Sequence, residues 1–336
     1  FEAAGAPLAD AAAVARHLVD ANLSGHDSHG VVRAPGYLRA VSEGRTVPGA
    51  PLRLERDDGV TALLDGGWNF GQVVASRAME LACERARERG VSVVVAHRSA
   101  HAGRLGAYVE QAARLGLIGI VMANGHGGSP RVAPFGGAGA RLATDPMAFG
   151  LPTDDPEAPL VLDMATSVAA EGKVRVARNA GRELPEGYLL DAAGRPTTDP
   201  AALYTSPPGA LLPLGGEAGH KGFGLALVVE GLAGALSPAG TTRPAGGRGR
   251  NALFVMALEP ERFSGRAAFE AALGGLAREV SGPPFREGSP GVLLPGEPER
   301  LARAERASGI ALDEETWAQL EEAALRAAVA LPAEAP

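Results

Sequence analysis

Cysteine and lysine are scarce in this sequence. Cys83 is the one cysteine among 336 residues, which excludes an internal disulfide framework and a metal site built from cysteines. A lone cysteine also suits a reducing compartment. The basic residues number 32, yet only Lys173 and Lys221 are lysines. Lys221 stands among glycines, and this setting favours a functional interpretation of it.

Long apolar runs and an excess of basic residues are missing as well. The best membrane candidate, residues 225–236, is shorter than the roughly 18 residues that span a bilayer, and it contains Glu230. The N-terminal segment lacks the basic stretch and apolar core of a signal peptide. A net charge of −7 with a pI of about 5.6 disfavours nucleic-acid binding. We therefore expect a cytoplasmic protein without a membrane or nucleic-acid partner.

The middle of the chain has the pattern of an α/β domain. Apolar runs at 91–97 and 117–124 predict buried strands, and residues 103–115 between them predict a helix. This order indicates a βαβ unit, or at least α/β layering. Residues 71–89 predict a long helix that Gly90 ends. No G-x-G-x-x-G fingerprint lies between a strand and a helix, so an ordinary Rossmann domain is not expected.

The two ends of the chain are amphipathic. Residues 10–23 predict a helix with Asp10 as its N-cap. The segment from about residue 298 predicts two helices, the second capped by Asp313. Residues 221–236 predict a buried helix, and 241–251 is the most loop-like stretch. We expect helical ends that pack together beside the α/β middle.

Residues 25–33, GHDSHGVVR, concentrate polar side chains that carry chemistry. His29 is suited to exchange a proton near neutral pH. Arg33 is suited to bind a substrate carboxylate through a bidentate pair. Ser28 is placed to orient His29 or to bind the substrate. A polar loop with capping roles is the structural alternative for this stretch.

Residues 96–108 pass from a buried strand into a helix, with His101, Gly103 and Arg104 at the junction. Glycine at a helix start lets an anion approach the backbone N–H groups, and the helix dipole favours negative charge there. Arg104 adds a cation. This stretch is therefore interpreted as a site for a cofactor pyrophosphate, with a structural His101 as the alternative.

Two more stretches are candidates for binding. GHKGFG places Lys221 before a predicted helix, as in a phosphate-gripping turn, but without the Walker spacing. Its alternative role is a flexible helix entry. Asp163 ends an apolar strand, where a carboxylate is costly unless it is paired or lies at a cleft. It is suited to orient a histidine, to accept from a ribose hydroxyl, or to cap the next segment.

A serine hydrolase is the alternative from another enzyme class. The sequence around Ser28 lacks the first glycine of the G-x-S-x-G elbow. His126-Gly127-Gly128 resembles an oxyanion loop, but no elbow is present to use it. A metal site of His26, Asp27 and His29 lacks a second ligand cluster, so no metal is expected.

Together these motifs resemble the malate/L-lactate dehydrogenase family of NAD(P)-dependent oxidoreductases, which lack a Rossmann fold. Its members include L-sulfolactate, ureidoglycolate and diketogulonate dehydrogenases and piperideine- and pyrroline-2-carboxylate reductases. The matching stretches run through nearly the whole chain: GHDSHGVVR, SAHAGRLGAY, RVAPFGG, TDPMAFGLPT, LVLDMATS with GKVRVA, LPEGYLLDAAGRPTTDP, LLPLGG with HKGFGLAL, and LPGEPE.

The resemblance implies reversible hydride transfer between NAD or NADP and a small 2-hydroxy or 2-oxo acid, or a cyclic 2-imino acid. The implied fold is α/β, with a non-Rossmann cofactor-binding sheet domain at 71–297. A mainly helical substrate and dimerisation domain is implied at 1–70 and 298–336, formed by both chain ends. The resemblance also implies a homodimer and a small-molecule carboxylate substrate.

The resemblance carries over residue roles as well. Ser28 and His29 match a serine–histidine pair with His29 as the proton donor in reduction, and Arg33 and Thr144 match substrate-binding residues. Asp163 matches an aspartate that assists the histidine, and in some members the histidine that matches His101 has the acid–base role. Implied cofactor contacts are His101, Ala102, Gly103, Arg104, Leu105, Gly125, Asp163, Met164, Ala165, Lys221, Gly296 and Glu297.

The chain departs from the family pattern at several positions. Thr144-Asp145-Pro146 stands where the family often has Thr-Asn-Pro, and Gly125 stands where many members have serine or threonine. His101 is followed by Ala-Gly rather than Phe-Gly or Cys-Gly. These departures bear on the choice of cofactor and substrate. They also leave open a homologue that binds cofactor without turnover.

Overall fold

A large mixed sheet lies at the centre of the computed structural model, which describes residues 1–125, 130–242 and 251–330. Its strands and those of a smaller sheet are β1 (Arg53–Asp57), β2 (Thr61–Asp65), β3 (Val91–Ser99), β4 (Ile118–Asn124), β5 (Met147–Leu151), β6 (Leu160–Met164), β7 (Leu189–Leu190), β8 (Pro196–Thr197), β9 (Ala210–Leu211) and β10 (Asn251–Leu258). The large sheet has the order β1-β2-β3-β10-β4-β5-β6, and the small one has the order β8-β7-β9.

Helices cover both faces of the large sheet and form a separate group from the chain ends. They are α1 (Leu8–Leu23), α2 (Ala34–Ser42), α3 (Gly71–Arg89), α4 (Gly106–Arg114), α5 (Glu171–Asn179), α6 (His220–Val229), α7 (Arg266–Ser281), α8 (Glu297–Glu305) and α9 (Glu314–Arg326). A π-helical turn, Glu230–Ala235, continues α6. In the described ranges no helix has the length and apolarity that crossing a membrane requires.

The core divides by the two-residue period of the strands. Val94 and Val121 point to one face, where α3 and α4 pack against the sheet. Val95 and Met122 point to the other face, which the π-helical turn covers. The side of α3 that faces the sheet is rich in fully buried alanines, so this helix lies close to the strands.

Three of the central strands point in the same direction. β10 is antiparallel to both β3 and β4, and β5 is antiparallel to both β4 and β6. β3, β4 and β6 are therefore parallel to one another, and their carboxyl ends lie at the same edge of the sheet. We call this edge, with residues 100–105, 125 and 165, the carboxyl edge.

The helices of the two chain ends contact each other. α1 packs against α8, and α2 packs against α9. Asp313 caps α9 by accepting a hydrogen bond from Thr316 N at 2.8 Å, as the sequence predicted. The division into 71–297 and the two ends remains a prediction. β1 and β2, which precede residue 71, belong to the large sheet.

β3, α4 and β4 form two parallel strands joined by a helix, as predicted, but the two strands are not neighbours, because β10 lies between them. Other local predictions were wrong. α1 begins at Leu8 with Pro7 at the N-cap, and Asp10 instead accepts a hydrogen bond from Asn69. α6 is only half-buried, since Leu227 and Val228 are each 50% exposed. Most of the predicted loop at 241–251 lies outside the described residues, as does 126–128.

Candidate active site

The carboxyl edge brings together segments that are far apart in the chain. His101 follows β3, Gly125 follows β4, and Ala165 follows β6. A Cβ atom at Gly125 would lie 2.5 Å from the Cβ of Ala143, so the chain passes close to the 143–145 turn there. In open α/β sheets, ligands bind beyond the carboxyl ends of parallel strands. The edge is thus where the fold places three of the predicted cofactor segments.

Two histidines meet at one end of this edge. The rings of His29 and His101 stack with centroids 5.7 Å apart. Ser28 Oγ lies 3.0 Å from His29 Nδ1, and Tyr37 Oη lies 2.7 Å from His101 Nδ1. Gln72 Nε2 donates to the Tyr37 oxygen at 3.1 Å. Both rings are therefore held through Nδ1, which leaves Nε2 of each for another partner.

Both imidazoles are neutral around pH 7. Burial lowers the pKa of His101 to about 3, and the positive charge of Arg33 adds to this effect. Burial also lowers the pKa of His29 well below its usual value, and His101 and Arg33 lower it further. Neutral imidazole is the form that accepts a proton, so the resting site holds bases and not acids.

Arg33 lies beside the two rings in a cavity of about 380 Å³ that His101, Tyr37 and Arg175 also line. Its Nε donates to Ser28 O at 2.6 Å, which ties the guanidinium to the loop that carries His29. Its Nη1 is 3.9 Å from Glu171 Oε2. The side chain is 19% exposed, and burial lowers its pKa without removing its charge.

A second arginine faces the same cavity from α5. Arg175 Nη2 contacts both carboxylate oxygens of Glu171, at 2.9 and 2.8 Å. Tyr204 Oη donates to Glu171 Oε1 at 2.8 Å. The charge of Glu171 is thus shared between Arg175 and the more distant Arg33. The cavity keeps a net positive lining suited to a carboxylate.

Asp163 occupies the start of α4. Its Oδ2 accepts from Gly106 N at 2.6 Å, rather than from an imidazole. Burial raises the pKa of Asp163, while Arg104 and the Gly106 N–H oppose this shift. The N-terminal end of α4, where the helix dipole favours an anion, is therefore occupied by a carboxylate of the protein itself.

Arg104 points into the interior and away from the solvent at the edge. Its Nη2 lies 2.5 Å from Glu110 Oε1 and its Nη1 lies 3.4 Å from Asp20 Oδ2, with the side chain 1% exposed. Arg303 of α8 contacts the same two carboxylates. The sequence predicted that the guanidinium of Arg104 binds a pyrophosphate. In the structure it forms a buried ion-pair network, which joins α4 to both chain ends.

The backbone of the 102–105 loop is fixed from several sides. Ala102 N donates to Asn251 Oδ1 at 2.9 Å, and Arg104 N donates to His17 Nε2 at 3.0 Å. Gly103 has φ of 77°, and a Cβ there would lie 2.3 Å from His17 Nε2. Leu105 is buried ahead of α4. Only glycine fits at 103, because of both the backbone conformation and the imidazole packed against it.

Lys221 lies exposed in the first turn of α6. A Cβ at the next residue, Gly222, would lie 2.3 Å from Leu214 O and 2.9 Å from Thr166 O. Glycine therefore allows α6 to start directly against the segment that follows β6. This contact brings the start of α6 next to Thr166, the residue after Ala165.

Thr144 and Met164 lie at the same edge, whereas Gly296 and Glu297 lie beside the amino end of β6, away from this edge. Thr144 O accepts from Thr166 N at 3.0 Å and from Thr166 Oγ1 at 3.1 Å. Met164 is the last residue of β6 and is half-buried. Gly296 and Glu297 begin α8, and the preceding Pro295 accepts at its oxygen from Val161 N of β6 at 3.1 Å.

Sequence reasoning missed Tyr37 and Arg175, which line the cavity, and Glu171, which pairs with Arg175. Tyr37 lies four residues after Arg33, a spacing that places both on one side of a helical segment. Glu171 and Arg175 have the same four-residue spacing on α5. That spacing was the available signal for all three, but nothing in the sequence indicated that α5 faces Arg33.

Comparison with known proteins identifies the group to which this fold belongs. The sequence model of the malate/L-lactate dehydrogenase family matches residues 1–321. The chain belongs to the malate/L-lactate dehydrogenase family. L-lactate dehydrogenase from Cupriavidus necator is 38% identical over 322 residues, covering 95% of this chain and 91% of that protein.

Solved structures agree with this family. Sulfolactate dehydrogenase from Methanocaldococcus jannaschii has a TM-score of 0.86 at 34% identity, over 98% of this chain and 93% of that one. Delta1-piperideine-2-carboxylate reductase from Pseudomonas syringae has a TM-score of 0.78 at 30% identity, over 96% and 95%. This family member is an oxidoreductase that uses a nicotinamide cofactor, and the α/β fold expected from the resemblance is confirmed. The hydrolase alternative finds no support among these relatives.

Proposed function

We propose that this enzyme interconverts a small 2-hydroxy acid and its 2-oxo acid, or reduces a cyclic 2-imino acid, in the cavity beside Arg33. The observation that supports this most is the stacked pair of neutral imidazoles, His29 and His101, next to the half-buried guanidinium of Arg33. A carboxylate anchor beside a proton acceptor is what dehydrogenation of a 2-hydroxy acid requires of the protein.

Arg33 is the proposed anchor for the substrate carboxylate. Its Nε is bound to Ser28 O, so the Nη atoms are the donors left for the substrate. Thr144 is proposed to contact the substrate from the opposite side. A fixed anchor presents the reacting carbon in one orientation, which lowers the entropic part of the barrier.

A histidine Nε2 is the proposed site of proton exchange. In oxidation the neutral imidazole accepts the hydroxyl proton, and in reduction it returns that proton to the oxygen or nitrogen of the substrate. His29 is oriented by Ser28, and His101 is oriented by Tyr37. We assign the exchange to His29, with His101 as the alternative. Asp163 is proposed to cap the start of α4 and to contact the cofactor.

The residues at the carboxyl edge fit a nicotinamide dinucleotide. Gly125 and Ala165 lie at the ends of β4 and β6, and Lys221 supplies an exposed ammonium for a phosphate. We propose that these residues, with His101 to Leu105, Met164, Gly296 and Glu297, hold NAD or NADP. When bound, the nicotinamide accepts or supplies the hydride.

We also propose that the enzyme is a homodimer. α6 and the turn after it expose Leu225, Leu227, Val228 and Leu236 by 36%, 50%, 50% and 58%. An exposed apolar patch of this kind is typical of a subunit interface. Sedimentation velocity of the purified protein would test this assignment. The single buried cysteine fits a cytoplasmic location.

Titration with NADH and with NADPH tests the proposed function first. Binding is read by energy transfer from Trp68 and Trp317 to the reduced nicotinamide. We expect micromolar affinity for one of the two and then turnover with a panel of 2-oxo acids and cyclic imines. A folded protein that binds neither nucleotide would contradict the proposal, and binding without any turnover would favour an inactive homologue.

A further inference from the structure

Two buried carboxyl groups face each other behind the carboxyl edge. Asp145 is 0% exposed, and neither of its carboxylate oxygens accepts a hydrogen bond. Glu230, at the start of the π-helical turn, is 4% exposed, and its Oε1 is likewise without a donor. Asp145 also has φ of 38°, an uncommon conformation for a residue other than glycine.

No cation balances this pair among the residues described. Burial is the main cause that raises the pKa of Asp145 to about 9. The Glu230 carboxylate adds to this shift through its charge and as the acceptor of a hydrogen bond from protonated Asp145. The groups packed nearby from β4 and from residue 242 are an amide and a backbone N–H. Two neighbouring carboxyl groups that are both buried away from water do not both ionise.

We propose that Asp145 and Glu230 share one proton, and that this acid pair positions the loops of the active site. The hydrogen then fills the gap between the unpartnered oxygens, with one carboxyl donating to the other. The role of the pair in positioning the catalytic loops rests on the function proposed above, whereas the existence of the shared proton does not depend on that function.

The pair is joined to the site by a chain of hydrogen bonds. Glu230 Oε2 accepts from Asn124 Nδ2 at 3.2 Å and from Thr242 N at 2.8 Å. Asn124 O accepts from Asn251 Nδ2 at 2.7 Å, and Asn251 Oδ1 accepts from Ala102 N at 2.9 Å. The chain thus runs from the acid pair to the residue next to His101.

The other end of the pair is equally close to the site. Asp145 directly follows Thr144, and Asn124 directly precedes Gly125. Loss of the shared proton would put two negative charges into the core, and the segments would separate to admit water. His101, Gly125 and Thr144 would then lose their relative positions together.

The first test compares the stability of the wild type and Asp145→Asn across pH. The raised pKa means that the folded state keeps a proton that the unfolded chain releases above about pH 4, so the contribution of Asp145 to stability falls as pH rises from about 4 to about 9. Asn lacks this titration and still offers an N–H to Glu230. We expect the unfolding equilibrium constant of the wild type, divided by that of Asp145→Asn, to rise about tenfold per pH unit in this range, so the variant becomes relatively more stable.

A matched control is Asp191→Asn on an exposed turn. Hydrogen bonds from the backbone of Arg195 lower the pKa of Asp191, so its ratio to the wild type is expected to be constant above pH 5. Parallel curves for the wild type and Asp145→Asn would overturn the shared proton. If Asp145→Asn does not fold, Glu230→Gln removes the second carboxylate and leaves Asp145 buried, so we expect a smaller loss of stability with rising pH than in the wild type. A pH dependence equal to that of the wild type would then overturn the shared proton.

The second test addresses positioning through NADH and NADPH affinity between pH 7 and 10. We expect the wild type to lose affinity above about pH 9 and Asp145→Asn to keep it. Equal profiles for the two proteins would overturn the positioning role. A protein that binds neither nucleotide at any pH would instead reject the proposed function, and the unfolding curves would still decide the shared proton.

Discussion

His29 and His101 stack across the site with an angle of 22° between their rings, although α2, α3 and β3 separate them in the chain. Each ring is held through Nδ1 by a different hydroxyl, of Ser28 and of Tyr37. Because both are neutral, the pair brings two proton acceptors beside Arg33 without mutual repulsion. A proton taken up by one ring would lower the pKa of the other, so the pair accepts one proton at a time.

Replacement of His29 by asparagine is expected to lower kcat by about 10²–10⁴-fold, the usual contribution of general acid–base catalysis. Affinity for the reduced nicotinamide nucleotide should stay unchanged, since His29 is assigned to the substrate. His101→Asn is the comparison, and the larger loss in kcat identifies the residue that exchanges the proton. His97→Asn, on β3 and paired with Glu55, serves as the control with undiminished kcat. Full turnover in His29→Asn would refute the assignment.

The pH profile of hydroxy-acid oxidation should lack a loss of activity near pH 6.5. Oxidation requires neutral imidazole, and burial lowers the pKa of both histidines, to about 3 for His101. The base form therefore persists as pH falls, and kcat/KM should decline only well below the ordinary histidine pKa. Steady-state rates between pH 5 and 9 check this. A decline centred at 6.5 would show that the rings are not desolvated in the free enzyme.

Glu110→Gln is expected to destabilise the fold by about 3–5 kcal/mol, because it leaves the buried guanidinium of Arg104 without its main partner. The free energy of unfolding from denaturant titration measures this loss. Glu322→Gln, which removes an exposed pair with Arg326, is the control and should cost about 0–1 kcal/mol. Equal effects of the two substitutions would mean that the Arg104 network contributes nothing beyond a surface pair.

Lys221→Ala should weaken cofactor binding about tenfold to a hundredfold, the loss expected for one hydrogen bond to a charged group. Its kcat at saturating cofactor should change far less. Lys173→Ala is a matched control, since it removes the only other lysine, which is also exposed. An unchanged dissociation constant for Lys221→Ala, measured by fluorescence titration, would remove Lys221 from the cofactor site.

Local patterns in the sequence were sufficient for the regular elements. α3 spans Gly71–Arg89 as predicted, because Gly90 takes the left-handed conformation that ends a helix. The buried parts of β3 and β4 followed from their apolar runs. β1 escaped prediction because all five of its residues are exposed, so it has no apolar alternation.

The motifs of the sequence also indicated the reaction class, through their resemblance to the malate/L-lactate dehydrogenase family. Only the tertiary structure decided how these residues are used. Insertion of β10 between β3 and β4 aligns the strand ends, and burial makes both histidines neutral. Long-range packing turns Arg104 inward and places Asp145 against Glu230. Desolvation and strand order depend on partners distant in the chain, and no local pattern encodes them.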